Sequence, residues 1–130
     1  GYSWVGGNPD GDVTVVEFMD YRCGYCRRAM AEVQSLLATD GNIRFILKEY
    51  PILGPQSEMS ARFAVAVQQL HGDQAYEDMH HALMTLESDV TPATLTALAE
   101  GFGLDPAPIL ARMSAAEVTA VLDANRALGE

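Results

Sequence analysis

Cys23 and Cys26 stand three positions apart, directly behind a short apolar, β-branched run, Val13-Thr14-Val15-Val16-Glu17-Phe18-Met19. They are the chain's only cysteines. A disulfide between them would close so short a loop that it restrains little of the unfolded chain, about 2 kcal/mol. A structural brace is therefore a poor account of the pair, and chemistry is a better one.

The surrounding pattern says where the pair sits. A run apolar on both faces is how a strand buried on two sides reads, as in a parallel sheet. Gly6 to Gly11 precede it as a turn-rich stretch that breaks regular structure. Cys23 to about Ala38 reads as a helix, with Met30, Val33 and Leu37 on one face. Asp40-Gly41-Asn42 ends it, and Ile43 to Lys48 reads as a second strand. Strand, helix and strand in this order form a βαβ unit, expected to cross over right-handed. Glu49 to Gln56, with two prolines and Gly54, reads as a loop. Everything after it is helical. Met59, Phe63, Val67 and Leu70 make one apolar stripe, and Tyr76, Met79, Leu83 and Leu86 another. Thr91-Pro92 and Asp105-Pro106 are caps followed by proline at the first helical position. Ser114 with Glu117 fits a capping box opening a last helix through Val118, Val121 and Leu122. The 130 residues form one domain: an N-terminal segment 1–12, the βαβ unit 13–50 and a helical part 57–130.

At the junction of strand and helix the Cys23 thiolate faces unpaired backbone amides and the positive end of the helix dipole. That placement lowers a thiol pKa from about 8.5 toward roughly 3.5–7.5. Cys26, one turn further in, is expected to be more buried and less acidic. An exposed acidic thiol beside a buried one suits thiol–disulfide exchange, with Cys23 attacking and Cys26 resolving the mixed disulfide. Arg27 and Arg28 either add positive potential near Cys23 or are solvated surface charges. Glu17 shares a strand face with Val13 and Val15, where an unpaired charge costs several kcal/mol. It either holds a raised pKa and relays protons to and from Cys26 or pairs with Lys48 on the neighbouring strand, and the two can hold together. Zinc is the competing use of two cysteines, but a structural site needs four ligands, and His71, His80 and His81 would have to be gathered from afar. His80 beside its apolar stripe is expected to be a packed, hydrogen-bonded core histidine, and His81 to face solvent. Trp4 carries no assigned role.

Charge narrows the partners. Eight basic against eighteen acidic residues give a net charge of −10, which argues against nucleic acid and against docking on an anionic membrane surface. No apolar run approaches the ~20 residues of a membrane span. No leader is visible at the start, so the chain is either cytosolic or a mature form whose leader has been removed.

The stretch from Gly7 to Gly54 resembles the DsbA-like branch of the thioredoxin superfamily, its periplasmic Com1- and ScsC-type members in particular. The likeness rests on Gly7-Asn8-Pro9, Val16-Glu17-Phe18, Asp20-Tyr21-Arg22-Cys23-Gly24-Tyr25-Cys26 and Tyr50-Pro51-Ile52-Leu53-Gly54, joined by Tyr76, His80, Ala82, Leu83 and Met84. The resemblance implies an α/β thioredoxin-like fold with a helical domain inserted after the second strand. It implies a protein-disulfide oxidoreductase exported to the periplasm, acting on cysteines of secreted proteins and reset by a membrane or soluble redox partner, without metal or organic cofactor. Cys23 would be the nucleophile, Cys26 the resolving cysteine, Glu17 the buried carboxylate beneath them, and Gly24 and Tyr25 the contacts to substrate. The Gly24-Tyr25 dipeptide is more like the isomerase and reductase members than the strong oxidases. The family's strand opening with a cis-proline is not matched, since the chain stops at Ala127-Leu128-Gly129-Glu130. A two-stranded sheet would then have an open edge, giving poor stability or strand borrowing. A binding or chaperone-like module without exchange activity is the alternative function.

Overall fold

The computed structural model describes residues Ser3–Gly129. Residues 1, 2 and 130, assigned above to the N-terminal segment and the end of the helical part, lie outside the described residues. Three strands and six helices follow in the order β1 (Trp4–Gly7), β2 (Val13–Met19), α1 (Gly24–Thr39), β3 (Ile43–Glu49), α2 (Pro55–His71), α3 (Asp73–Thr85), α4 (Pro92–Gly101), α5 (Pro106–Arg112) and α6 (Ala116–Gly129). The expected βαβ unit is present: β2 and β3 pair in parallel, with Val13 opposite Ile43 and Met19 opposite Glu49.

The sheet has a third member that the sequence pattern conceals. β1 pairs antiparallel with the other edge of β3, Trp4 opposite Leu47 and Gly7 opposite Arg44, so the strand order is β1-β3-β2. The turn-rich start is thus ordered from Trp4, and the two-stranded sheet is corrected to three strands. Trp4 has a use after all, stacking on Tyr76 of α3 at 6.4 Å between ring centroids. Gly7 closes β1 with φ +67°, where a Cβ would lie 2.5 Å from the Ile43 carbonyl oxygen. Only glycine serves there.

β3 alternates strictly. Ile43, Phe45, Leu47 and Glu49 are buried on one face while Arg44, Ile46 and Lys48 are half-exposed on the other. β2 departs from the expected two-sided burial: Val13, Val15 and Val16 are 53%, 37% and 44% exposed, and only Met19 reaches the core. The reason is position, because β2 is an edge strand paired on one side alone. The core lies between the inner face of β3 and the helices, centred on Phe63, Val65 and Val67 of α2, Tyr76, Met79 and Leu83 of α3, Leu95, Ile109 and Leu122.

Helix boundaries follow local chemistry. Thr91 caps α4 by accepting from the Thr94 N–H, with Pro92 in the first turn, and the Asp105 carboxylate accepts from the Ala107 N–H at 3.2 Å. Pro55 opens α2 and Glu49 ends β3, so the expected loop is shorter at both ends. Ser114 does not cap the last helix. Its hydroxyl donates back to the Ala111 carbonyl at 3.4 Å and α6 begins at Ala116, with Val118, Val121 and Leu122 buried as expected. Leu70, expected in the α2 stripe, is 40% exposed near that helix's end.

Candidate active site

β2 ends at Met19, and the chain turns through Asp20, Tyr21 and Arg22 before α1 begins. Each step of the turn is held. The Asp20 carbonyl accepts from the Cys23 N–H at 3.1 Å. The buried Asp20 carboxylate accepts from the Arg22 N–H at 2.8 Å and the Ser57 hydroxyl at 2.7 Å through Oδ1, and from the N–H groups of Ile52 and Leu53 at 2.8 and 3.0 Å through Oδ2. One side chain thereby ties the cysteine loop to the β3–α2 connection and to α2.

Cys23 is the N-cap of α1, with extended backbone, and its Sγ accepts from the Cys26 N–H at 3.3 Å. A thiolate in this position takes up an amide that the helix leaves unpaired. The hydrogen bond shared with the Cys26 side chain lowers the Cys23 pKa, and the amides of Cys26 and Tyr25 lower it further. Cys26 packs against the core, and burial pushes its thiol up to about 11. The two sulfurs are both thiols here and are driven apart in acidity by their surroundings. Gly24 and Tyr25 lie on the exposed first turn between them, Tyr25 being 74% exposed.

Glu17 sits on the inner face of β2, opposite Leu47. Burial raises its pKa, and its charge in turn raises that of Cys26. The alternative partner is ruled out by register: Lys48 is opposite Phe18, on the other face, and its Nζ donates to the Ser3 hydroxyl at 2.5 Å. Glu17, Cys26, Met30, Phe45, Leu47 and His80 line one cleft of about 770 Å³. Arg27 does not turn toward Cys23. Its Nε donates to the Tyr21 carbonyl at 2.7 Å and its Nη2 to the Leu83 carbonyl at 3.3 Å, latching α1 to the loop and to α3. Arg28 is exposed, with Nη1 beside Gly24.

Behind the loop lies a polar cluster that sequence reasoning missed. The hydroxyls of Tyr21 and Tyr76 both donate to Glu49 Oε1 at 2.6 Å. His80 Nδ1 lies 3.1 Å from the Tyr21 hydroxyl, and its ring stacks on Tyr76 at 6.0 Å. Because Tyr21 spends its proton on Glu49, the histidine is the donor of that bond, which assigns its Nδ1–H tautomer. His80 is thus the hydrogen-bonded core histidine expected above, and His81 is exposed. Burial pushes Glu49 up to about 8 despite the two hydroxyl donors, and pushes His80 down to about 4. The alternation of Ile43, Phe45, Leu47 and Glu49 was the available signal, since it puts the carboxyl on the buried face. Among the described residues no group of three or more His, Cys, Asp or Glu side chains is placed to hold a metal ion.

A parallel βαβ unit with a capping thiol at its strand–helix junction defines a class of thiol-bearing α/β proteins. A family model described as thioredoxin matches residues 1–128, and the chain belongs to that family. Among solved structures it is similar to a thioredoxin-like oxidoreductase from Silicibacter pomeroyi, 46% identical over 98% of this chain and 72% of that one, with a TM-score of 0.88. It is also similar to the thiol–disulfide exchange protein alpha-DsbA2 from Wolbachia pipientis, 26% identical over 97% and 68% of the two chains, with a TM-score of 0.85. The DsbA-like resemblance and the thioredoxin-like α/β fold therefore both hold. A curated relative is Na(+)/H(+) antiporter NhaA 1 of Salinispora arenicola, 36% identical over 104 residues. The match takes in 78% of this chain and about 15% of that protein's length. Among the described residues no helix is long and apolar enough to cross a membrane.

Proposed function

We propose that this chain is a protein thiol–disulfide oxidoreductase of the periplasm or the cell exterior, working through Cys23 and Cys26 without metal or organic cofactor. The observation that carries this function is the split environment of the two sulfurs: Cys23 caps α1 with a lowered pKa while Cys26 is held protonated by burial. Toward a substrate disulfide, the Cys23 thiolate attacks one sulfur, forming a mixed disulfide and expelling the other sulfur as a thiolate. Cys26 then gives its proton to the Glu17 carboxylate and attacks Cys23 Sγ. The substrate's remaining sulfur leaves with the electron pair, and Cys23–Cys26 is left as the disulfide. Run in reverse, the same steps oxidise substrate thiols, with Glu17 returning the proton to Cys26. Gly24 and Tyr25 form the rim that meets the substrate backbone. Cysteine-bearing secreted proteins are the substrates, and a redox partner resets the pair. The likeness to the exchange protein of Wolbachia supports this chemistry, and the persistence of disulfides outside the cytosol supports export.

The test is a pH titration of thiolate ultraviolet absorbance on the reduced chain with chelator present. One transition well below the ordinary thiol value, abolished by Cys23→Ser together with insulin reduction, is the expected result. A single transition at the ordinary value, with no turnover of insulin, would instead assign the chain to binding without exchange.

A further inference from the structure

We propose that Tyr21 is a positioning residue for the exchange reaction, its hydroxyl seated in a socket of Glu49 and His80 that sets the loop presenting Cys23. This rests on the oxidoreductase function above and adds a residue to it.

Tyr21 stands two positions before Cys23 and is held at both ends. Its carbonyl accepts from Arg27 Nε at 2.7 Å, which binds it to the first turn of α1. Its side chain runs the other way into the core, where it is 1% exposed. There the hydroxyl does two things at once: it donates to Glu49 Oε1 at 2.6 Å and accepts from His80 Nδ1 at 3.1 Å. Phenylalanine would fill the same volume and do neither.

The socket belongs to the rest of the protein. Glu49 is the last residue of β3, and its own carbonyl accepts from Asn125 Nδ2 of α6 at 2.9 Å. Tyr76, on α3, shares the same Glu49 oxygen and stacks with the rings of both Trp4 and His80. One hydroxyl thus fastens the cysteine loop to β3, α3 and, through Glu49, α6. The other carboxyl oxygen, Glu49 Oε2, is buried with no partner among the described residues. A hydrophobic core would hold these elements together more cheaply than a half-satisfied carboxyl. What the polar socket adds is direction, because hydrogen bonds at 2.6 Å fix an angle where apolar packing tolerates sliding.

Cys23 depends on that angle. Its sulfur meets the Cys26 N–H at 3.3 Å, and a hydrogen bond weakens steeply as its angle bends, so a shift of the loop weakens it. The thiolate fraction at acidic pH, and with it the attack rate, should therefore report on the Tyr21 hydroxyl.

The decisive comparison is Tyr21→Phe against Tyr76→Phe. Each removes one hydroxyl from Glu49, but only the first touches the loop. Reduced proteins are mixed with oxidised glutathione at pH 6, the thiolate titration is recorded, and melting temperature is followed alongside. Tyr21→Phe should slow exchange about tenfold and move the Cys23 transition upward, while Tyr76→Phe stays within about twofold of the parent at a similar loss of melting temperature. His80→Leu, which takes away the second partner of the same hydroxyl, should slow exchange about threefold and serves if Tyr21→Phe does not fold. Equal behaviour of the tyrosine variants, or an unshifted titration with melting temperature alone reduced, overturns the positioning role. An unmodified chain that fails to exchange overturns the oxidoreductase function itself, a result separable from both.

Discussion

Replacing Glu49 by glutamine should make two stability curves cross. Burial, helped by the charge of Asp20 and opposed by the Tyr21 and Tyr76 hydroxyls, carries the Glu49 carboxyl from an ordinary 4.5 to about 8. Between those values the folded chain keeps a proton that the unfolded chain has released, so stability falls as pH rises and levels off above about 8. At 1.36 kcal/mol per tenfold change, the whole loss is on the order of 5 kcal/mol. Glutamine keeps an oxygen for both hydroxyls and never ionises. It places an amide nitrogen where Oε2 lacks a partner among the described residues, costing about 1–3 kcal/mol at every pH. Near pH 4.5 the parent should be the more stable, and at pH 9 the variant should lead by about 2–4 kcal/mol. Urea unfolding followed by circular dichroism at intervals from pH 4.5 to 9 measures both curves. Their difference cancels most other titrations, including that of His80, which costs stability only as pH falls from 6.5 toward about 4. Curves that stay parallel across the range would refute the reasoning, because Glu49 would then not carry its proton into the neutral range.

Two further changes test the loop and the proton path. Asp20→Ala deletes an acceptor of four hydrogen bonds, three from backbone N–H groups. The Ser57 bond is buried and the three N–H bonds are partly so, and at about 1 kcal/mol for each bond lost the change should lower unfolding free energy by roughly 3 kcal/mol or more. A denaturant midpoint within error of the parent would contradict the assignment. Glu17→Gln should leave the attack of Cys23 on a small disulfide unchanged while slowing resolution by Cys26 about tenfold or more at neutral pH, as expected for loss of a general base. Acid-quenched single turnovers separate the two steps, and an unchanged resolution rate would remove Glu17 from the mechanism.

The cysteine junction was legible because its signals are local: a β-branched run, a turn, then helical spacing from Cys23 onward. The caps at Thr91 and Asp105 were legible for the same reason. β1 was not. Trp4 and Val5 favour a strand, but Gly6 and Gly7 weaken so short a run, and it is a strand because β3 offers a free edge and Tyr76 offers Trp4 a ring to stack on. The exposure of β2 escaped notice because apolar residues on both faces look alike whether or not a neighbour covers them. Glu49 lay hidden for another reason. Its partners Tyr21 and Tyr76 are 28 and 27 positions away, and no periodicity within one element announces a hydrogen bond between three. Burial parity along β3 came closest, by placing a carboxyl where only apolar side chains preceded it.

β2 is exposed through its first four residues, half-covered at Glu17 and Phe18, and closed over at Met19. Local opening starts where few contacts resist it and stops where many do. Fluctuations of this edge strand should therefore begin at Val13 and die out toward Met19, leaving the turn that follows as the quiet end of a noisy strand. The Cys23 sulfur is mounted on that quiet end, so its geometry is insulated from breathing motions that the exposed valines cannot suppress.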